Sequence, residues 1–196
     1  SLLMKTVDSI SLPDDVEYLV LDGASSDGTV NFLSAIENDY KFRNFNFKSE
    51  KDSGIYDAMN KAVKLAKGKY IVFMNAGDLF PNEHTLRLVS KKLQDNEYPD
   101  VLYGDFLLYD DDNQKGKYVK AKPLENIWKR MVFCHQSMYT KRELLLKYPF
   151  DIHNLAADHE LIYKLYTSGF NFLYIEQALS KYLDGGVSVK LYRTSI

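Results

Sequence analysis

Short apolar runs alternate along this chain with stretches of helical spacing. Residues 16–21, 45–49 and 70–74 are runs of strand length, each ended by polar or glycine-bearing residues. Leu3, Val7 and Ile10 fall on one face of a helix over residues 2–10. The turn Ser25-Ser26-Asp27-Gly28-Thr29 opens a second helix reaching about Asn38, with Asp27 or Thr29 as its cap. Met59, Val63 and Ala66 mark a third over 55–67, and Gly68 stops it. A fourth spans about 83–95.

The second half changes character. Residues 101–109 and 117–120 predict a hairpin across the polar turn 110–116, followed by a short helix at 124–131 and a short strand at 136–139. Leu161, Leu165 and Tyr166 point inward from a helix over 157–168, with Gly169 as its stop, and 170–175 forms a last strand. Strands alternating with helices, then a hairpin, predict an α/β fold: a mostly parallel central sheet flanked by helices, with a small antiparallel hairpin. No repeat, low-complexity tract or linker interrupts it, so residues 1–196 read as a single domain.

Three successive strand-like runs end in acidic, glycine-bearing loops: Asp22-Gly23-Ala24-Ser25-Ser26-Asp27-Gly28-Thr29, Glu50-Lys51-Asp52-Ser53-Gly54 and Asn75-Ala76-Gly77-Asp78. Ligands of open α/β sheets sit beyond the carboxyl ends of the strands. Carboxylates gathered at one sheet edge repel one another unless something positive lies among them. A divalent cation carrying a diphosphate answers that need, since Mg²⁺ and Mn²⁺ take one or two carboxylates plus phosphate oxygens. Turn formation by Asp and Gly is the plainer account of the same residues.

Composition narrows the classes. A net charge of −2 gives no basic footprint for nucleic acid. One cysteine, Cys134, permits no internal disulfide and fits a reducing compartment. No run of ~20 apolar residues is present to span a bilayer. The expectation is a cytoplasmic protein able to work peripherally, at the inner face of a membrane, on a membrane-borne acceptor.

The run 18–29, Tyr-Leu-Val-Leu-Asp-Gly-Ala-Ser-Ser-Asp-Gly-Thr, resembles the second-strand motif of the family 2 glycosyltransferases, whose fold is of the GT-A (nucleotide-diphospho-sugar transferase) type. Asp52-Ser-Gly-Ile-Tyr-Asp-Ala-Met-Asn-Lys61 and Gly68-Lys-Tyr-Ile-Val-Phe-Met-Asn-Ala-Gly-Asp78 are similar to the next two blocks. Ala156-Ala-Asp-His-Glu160, preceded by His135-Gln136, resembles the late acidic motif, and Gly185-Gly186-Val-Ser188 the family's tail. Each motif is weak alone; five in order are specific. The family opens on an apolar strand ending in a Pro-Thr-type turn, which this chain lacks, so a longer natural N-terminus is expected.

The resemblance implies a hexosyltransferase of the bacterial polysaccharide-biosynthesis type. It would transfer a sugar with inversion from a UDP- or GDP-sugar to a saccharide or lipid-linked acceptor. Residues 1–80 would form the donor half and 100–196 the acceptor half. On the family pattern Asp22 reads the nucleobase, Asp52 reaches the nucleobase or ribose, and Asn60 and Asn75 belong to the donor site. Asp78 holds Mg²⁺ or Mn²⁺, although Asn75 and Gly77 stand where the family often has Asp-x-Asp. His135 and Gln136 line the acceptor side or the diphosphate. Asp158 is the catalytic base; capping a helix is its structural alternative, and Glu160 is a less suited stand-in. Lys190 and Arg193 in the tail suit phosphate oxygens, though a solvated terminus accounts for them equally. Trp128 and Tyr139 suit stacking on a sugar ring, but nothing local selects them.

Other readings remain open on the residues. A sugar-nucleotide nucleotidyltransferase shares a similar sheet but opens on a Gly-rich, basic phosphate loop. None stands in these residues, though the expected longer N-terminus is where one would lie, and the late Asp158 motif argues against it. A non-catalytic nucleotide-sugar-binding module draws support from Asn75 and Gly77. A purely structural protein leaves four loop-end carboxylates unexplained.

Overall fold

The computed structural model describes residues 1–37, 44–109 and 116–183. The expected turn at 110–116 lies almost wholly outside them, as do Asn38, Gly185, Gly186, Ser188, Lys190 and Arg193. The chain divides into two compact units that do not follow its order. The first gathers the described residues of Ser1–Ser11, Val72–Tyr139 and Asn171–Ile196; the second gathers those of Leu12–Ile71 and Thr140–Phe170.

The second unit contains a β-α-β crossover. Strand β1 (Tyr18–Asp22) and strand β2 (Phe45–Ser49) pair in parallel, from Tyr18 opposite Phe45 to Asp22 opposite Ser49. Helix α2 (Thr29–Glu37) lies between them in sequence and buries Leu33 and Ile36. Asp27 caps α2 by accepting from the Thr29 amide at 3.1 Å and its hydroxyl at 2.7 Å, as the turn chemistry predicts.

Helix α3 (Ile55–Leu65) starts at Gly54 and buries Met59 and Val63. Gly54 offers no capping side chain, so Asp57 reaches back and accepts from the Ser53 amide at 2.9 Å. Its far end is closed by Arg142, whose guanidinium donates to the Val63 and Lys64 carbonyls. Arg142 opens helix α5 (Arg142–Lys147), which the sequence pattern does not single out. Helix α6 (Ala157–Thr167) falls where the periodicity predicts, with Leu161 and Leu165 buried, although Tyr166 is exposed. Strand β3 is only Tyr70–Ile71, shorter than its apolar run. It pairs antiparallel with Thr140 and Lys141 of β6 (Met138–Lys141), and Phe73 is buried just beyond its end.

The first unit is built on β4 (Val101–Tyr109), which pairs antiparallel with β5 (Gly116–Val119) and in parallel with β7 (Phe172–Leu183). The antiparallel β4–β5 pair is the predicted hairpin. The last strand runs well past residue 175, because β4 offers it a partner along its whole length. The β4–β7 register slips twice between Gly104 and Phe106. A Cβ at Gly104 would stand 2.6 Å from the Gln177 carbonyl oxygen, so only glycine admits this bulge.

Helix α1 (Leu2–Asp8) and helix α4 (Thr85–Asp95) bury Val7 and Leu86, Val89 and Leu93 respectively. The helix expected at 124–131 is reduced to one 3₁₀ turn at Leu124–Asn126, and the strand expected at 136–139 begins later, after a 3₁₀ turn at His135–Ser137. Parallel pairing (β1–β2 and β4–β7) and antiparallel pairing (β3–β6 and β4–β5) both occur.

Candidate functional site

In the second unit, Asp22 is the last residue of β1 and is only 7% exposed. Parallel register puts Ser49 opposite it, and the Ser49 hydroxyl donates to Asp22 Oδ2 at 2.6 Å. The Ser25 amide donates to the same oxygen at 3.0 Å. Burial opposes ionisation, but the hydrogen bonds from Ser25, Ser49 and Ala24 outweigh it and hold the carboxyl below its ordinary pKa. Asp22 is therefore a fixed anion at a strand end. The next loop residue, Ala24, takes φ 63, a left-handed conformation that costs a non-glycine residue roughly 1–2 kcal/mol. The strain sits in the loop expected to meet the nucleobase.

Gly23 brings this loop against the next. A Cβ there would stand 2.8 Å from Asp52 Oδ2, so the absence of a side chain lets Asp22 and Asp52 share one edge of the unit. Asp52 is exposed, and its Oδ1 accepts from the Gly54 amide at 2.9 Å. The nearby Glu50–Lys61–Asp57 ion pairs fix the base of the loop: Lys61 Nζ lies 3.0 Å from Asp57 and 3.8 Å from Glu50. Asn60 does something the motif does not reveal. Its side chain donates to the Phe150 carbonyl at 2.8 Å and accepts from the Phe150 amide at 2.9 Å, clamping α3 to the chain ahead of α6.

Asp158 lies in the first turn of α6, whose N-cap is Ala156, so the capping alternative for Asp158 does not apply. Its Oδ1 accepts from the Tyr56 hydroxyl at 3.0 Å and from the His159 amide at 2.9 Å. Tyr56 stands in the first turn of α3, four residues after Asp52, and its ring stacks on Phe150 at 5.4 Å. Burial first, and then the Asp158 charge, push the Tyr56 phenol well above its ordinary pKa. Glu160 is engaged elsewhere, by Lys164 and Asn154; the Lys164 contact is the larger reason its pKa lies below the ordinary value. Of the two acids in this turn, Asp158 is the one tied to the helix that follows the Asp52 loop.

In the first unit, Asp78 is 4% exposed. Its Oδ2 accepts from Gln136 Nε2 at 2.7 Å, and its Oδ1 from the Leu183 amide at 3.1 Å. Burial raises its pKa against the opposing pull of those donors. Gln136 is itself buried and accepts from the Cys134 thiol. The Asn75 carbonyl accepts from the Asp78 amide at 2.9 Å and from the Thr6 hydroxyl at 3.4 Å, while Thr6 accepts from the Gly77 amide at 2.8 Å. Residues 75–78 thus form a turn locked to α1. His135 opens the adjoining 3₁₀ turn, and its imidazole favours the ionised form of Asp78. Tyr139 is 4% exposed, which removes it as a stacking surface for a sugar.

At Asp78 both carboxylate oxygens accept hydrogen bonds inside the unit, so a divalent cation bound there would take the place of the Gln136 Nε2 or the Leu183 amide donor. Sequence reasoning also passed over Ser49 and Tyr56. Ser49 was findable by aligning the carboxyl ends of the two predicted strands. The partner of Tyr56 is 102 residues away, and no local pattern signals it.

A family model described as glycosyl transferase family 2 matches residues 1–182. The PGL/p-HBAD biosynthesis glycosyltransferase of Mycobacterium bovis is 29% identical over 130 residues, which cover 66% of this chain and 49% of the relative. The chain therefore spans about half the length of such relatives. Among solved structures, S. aureus TarS 1-349 in complex with UDP-GlcNAc superposes with a TM-score of 0.72 at 18% identity, over 93% of this chain and 54% of that one. The mannosyltransferase PcManGT from Pyrobaculum calidifontis, in complex with GDP-Man and Mn²⁺, gives 0.72 at 20% identity, over 98% and 56%. The fold is of the GT-A type.

Proposed function

Because the chain belongs to glycosyl transferase family 2, we propose that it transfers a sugar from a nucleotide-diphosphate sugar to an acceptor hydroxyl with inversion, in the assembly of a cell-surface glycan. The observation that carries this reading is the Tyr56–Asp158 hydrogen bond. It joins the late acidic residue to the first turn of the helix that follows the Asp52 loop, within one unit.

In this reading Asp22, held ionised by Ser25 and Ser49, accepts a hydrogen bond from a ring N–H of the nucleobase. Asp52 takes the ribose or the base edge beside it. Asp158 accepts the proton of the acceptor hydroxyl as that oxygen bonds to the anomeric carbon. The bond from that carbon to the donor's diphosphate oxygen breaks, and the diphosphate leaves with the electron pair. One carboxylate suffices, because the oxygen that displaces the diphosphate is the acceptor's own. Complexes of similar folds with UDP-GlcNAc, and with GDP-Man and Mn²⁺, support a uracil or guanine nucleotide as donor and a divalent ion arriving with the diphosphate.

Calorimetric titration of UDP and GDP, with and without Mn²⁺, tests the donor assignment. One nucleotide should bind, and Asp22→Ala and Asp52→Ala should each abolish binding. A folded protein that binds neither nucleotide overturns the donor assignment. Binding without nucleoside diphosphate release from any UDP- or GDP-sugar would favour a non-catalytic module.

A further inference from the structure

The loop from Lys122 to Val132 is a built feature that the proposed transfer chemistry does not use. Its neck is closed by the Lys122 amide, which donates to the Val132 carbonyl at 2.7 Å. Pro123 starts the 3₁₀ turn, and the amides of Asn126, Ile127, Lys129 and Arg130 donate to carbonyls at positions 123, 124, 126 and 126. Ile127 is 1% exposed and Val132 is buried, so the loop is pinned from within at its middle and at its end. This pinning turns the next residue outward: Trp128 is 67% exposed.

Leaving an indole in water forgoes the burial that so large an apolar side chain normally gains. Here one cation lies over it and two more share its loop. Lys129 Nζ lies 4.7 Å from the ring centroid, and Lys122, Lys129 and Arg130 are all exposed against a single exposed carboxylate, Glu125. On the strand that leads into the loop, Lys117 is exposed and Lys120 is paired with Glu176. The whole chain carries a net charge of −2, so this local excess of positive charge runs against its balance.

We propose that the Lys122–Val132 loop is a docking surface for an anionic lipid bilayer, with Trp128 seated at the headgroup level and Lys122, Lys129 and Arg130 meeting the lipid phosphates. Indole rings favour the boundary between headgroups and acyl chains, where the ring is buried and its N–H stays wet. Lysine and arginine near an anionic leaflet add attraction that falls with salt. The long stems of Lys129 and Arg130 let their charges stay in the headgroup layer beside a sunken ring. A neutral sugar would use the ring but has no need of the Lys129 cation over it, nor of exposed Lys122 and Arg130 in the same loop. This proposal stands independently of the donor and base assignments, since it concerns residues with no part in them.

Trp128 is the only tryptophan, so its emission, excited where tyrosine does not absorb, reports on this loop alone. The chain is titrated with phosphatidylcholine vesicles containing phosphatidylglycerol and with vesicles of phosphatidylcholine alone. A blue shift and co-sedimentation with the phosphatidylglycerol vesicles, reversed by salt, are expected. The double variant Lys129→Glu/Arg130→Glu should bind them at least about thirtyfold more weakly, and Trp128→Ala should also lose binding by sedimentation. Both changes lie at exposed positions, and circular dichroism confirms folding. No shift with phosphatidylglycerol vesicles, or equal binding to both compositions, overturns the proposal. A shift as large with soluble heparin or with a neutral oligosaccharide also overturns it, and would make the loop a polyanion or acceptor contact instead.

Discussion

The Tyr56 hydroxyl donates to Asp158 Oδ1 at 3.0 Å, joining the first turns of two helices that lie 102 residues apart in sequence. Because its pKa is raised, the phenol keeps its proton throughout the range in which such an enzyme works, and it favours the ionised carboxylate. Tyr56 is thus a positioning residue for the proposed base. Tyr56→Phe should lower kcat by roughly ten- to a hundredfold, the range of one hydrogen bond to a charged group. The acid limb of the pH profile should move upward, because the carboxylate loses a donor that favoured its charged form, while KM stays close to wild type. An unshifted profile would reduce Tyr56 to a packing residue.

Gly23 makes a second prediction. A methyl group there would push on Asp52 Oδ2 from 2.8 Å, displacing the exposed carboxylate rather than the core. Gly23→Ala should weaken nucleoside diphosphate binding by about tenfold with little change in stability, since surface changes away from packing cost about 0.5 kcal/mol or less. Titration calorimetry and a melting curve on the same sample separate the two effects. A fall in stability with binding intact would remove Asp52 from the donor edge.

Much of this is legible in the sequence. The β1–α2–β2 crossover follows from two apolar runs with a capped amphipathic stretch between them, and Asp22 is where a strand-end carboxylate should be. The length of β7 was not legible, because Glu176, Gln177, Ser180 and Lys181 break its apolar pattern, and only pairing with β4 makes them a strand. Nor could sequence show that Asp105 is fully buried, accepting from the Tyr118 and Tyr174 hydroxyls at 2.6 and 2.8 Å and from the Ala121 amide at 2.8 Å. Motifs mark which residues matter within a segment. They do not reveal partners supplied by distant segments, which is why the pairing of Asn60 with Phe150 is invisible in a motif that suggests a donor-site role.

That pairing yields a stability prediction. Asn60→Ala leaves the Phe150 amide and carbonyl, both part-buried, without their side-chain partners. A loss of about 2 kcal/mol is expected, seen as a fall of about 4–8 °C in Tm for a chain of this size. Asn60→Asp should recover only part of it, since a carboxylate accepts from the Phe150 amide but repels its carbonyl. A Tm unchanged in Asn60→Ala would show that the amide is dispensable to the fold.

Asp78 gives the pH dependence its sign. A carboxyl whose pKa is raised by folding holds its proton more readily in the folded chain than in the unfolded one. Its contribution to stability is therefore fullest below the ordinary carboxylate pKa and declines as the pH rises through the raised, folded value. Asn at this position cannot ionise, so Asp78→Asn removes the decline. The unfolding free energy of the wild type, measured in urea and compared with that of Asp78→Asn at each pH, should thus fall progressively as the pH is raised from the acidic side. The variant also sets an amide donor against Gln136 Nε2, forcing the Gln136 amide to turn over and give up the Cys134 contact. That rearrangement costs the variant a roughly constant amount and leaves the slope intact. A difference that stays flat with pH, together with a Mn²⁺ requirement lost in Asp78→Asn, would mean that Asp78 faces a cation in the working enzyme and not Gln136 alone.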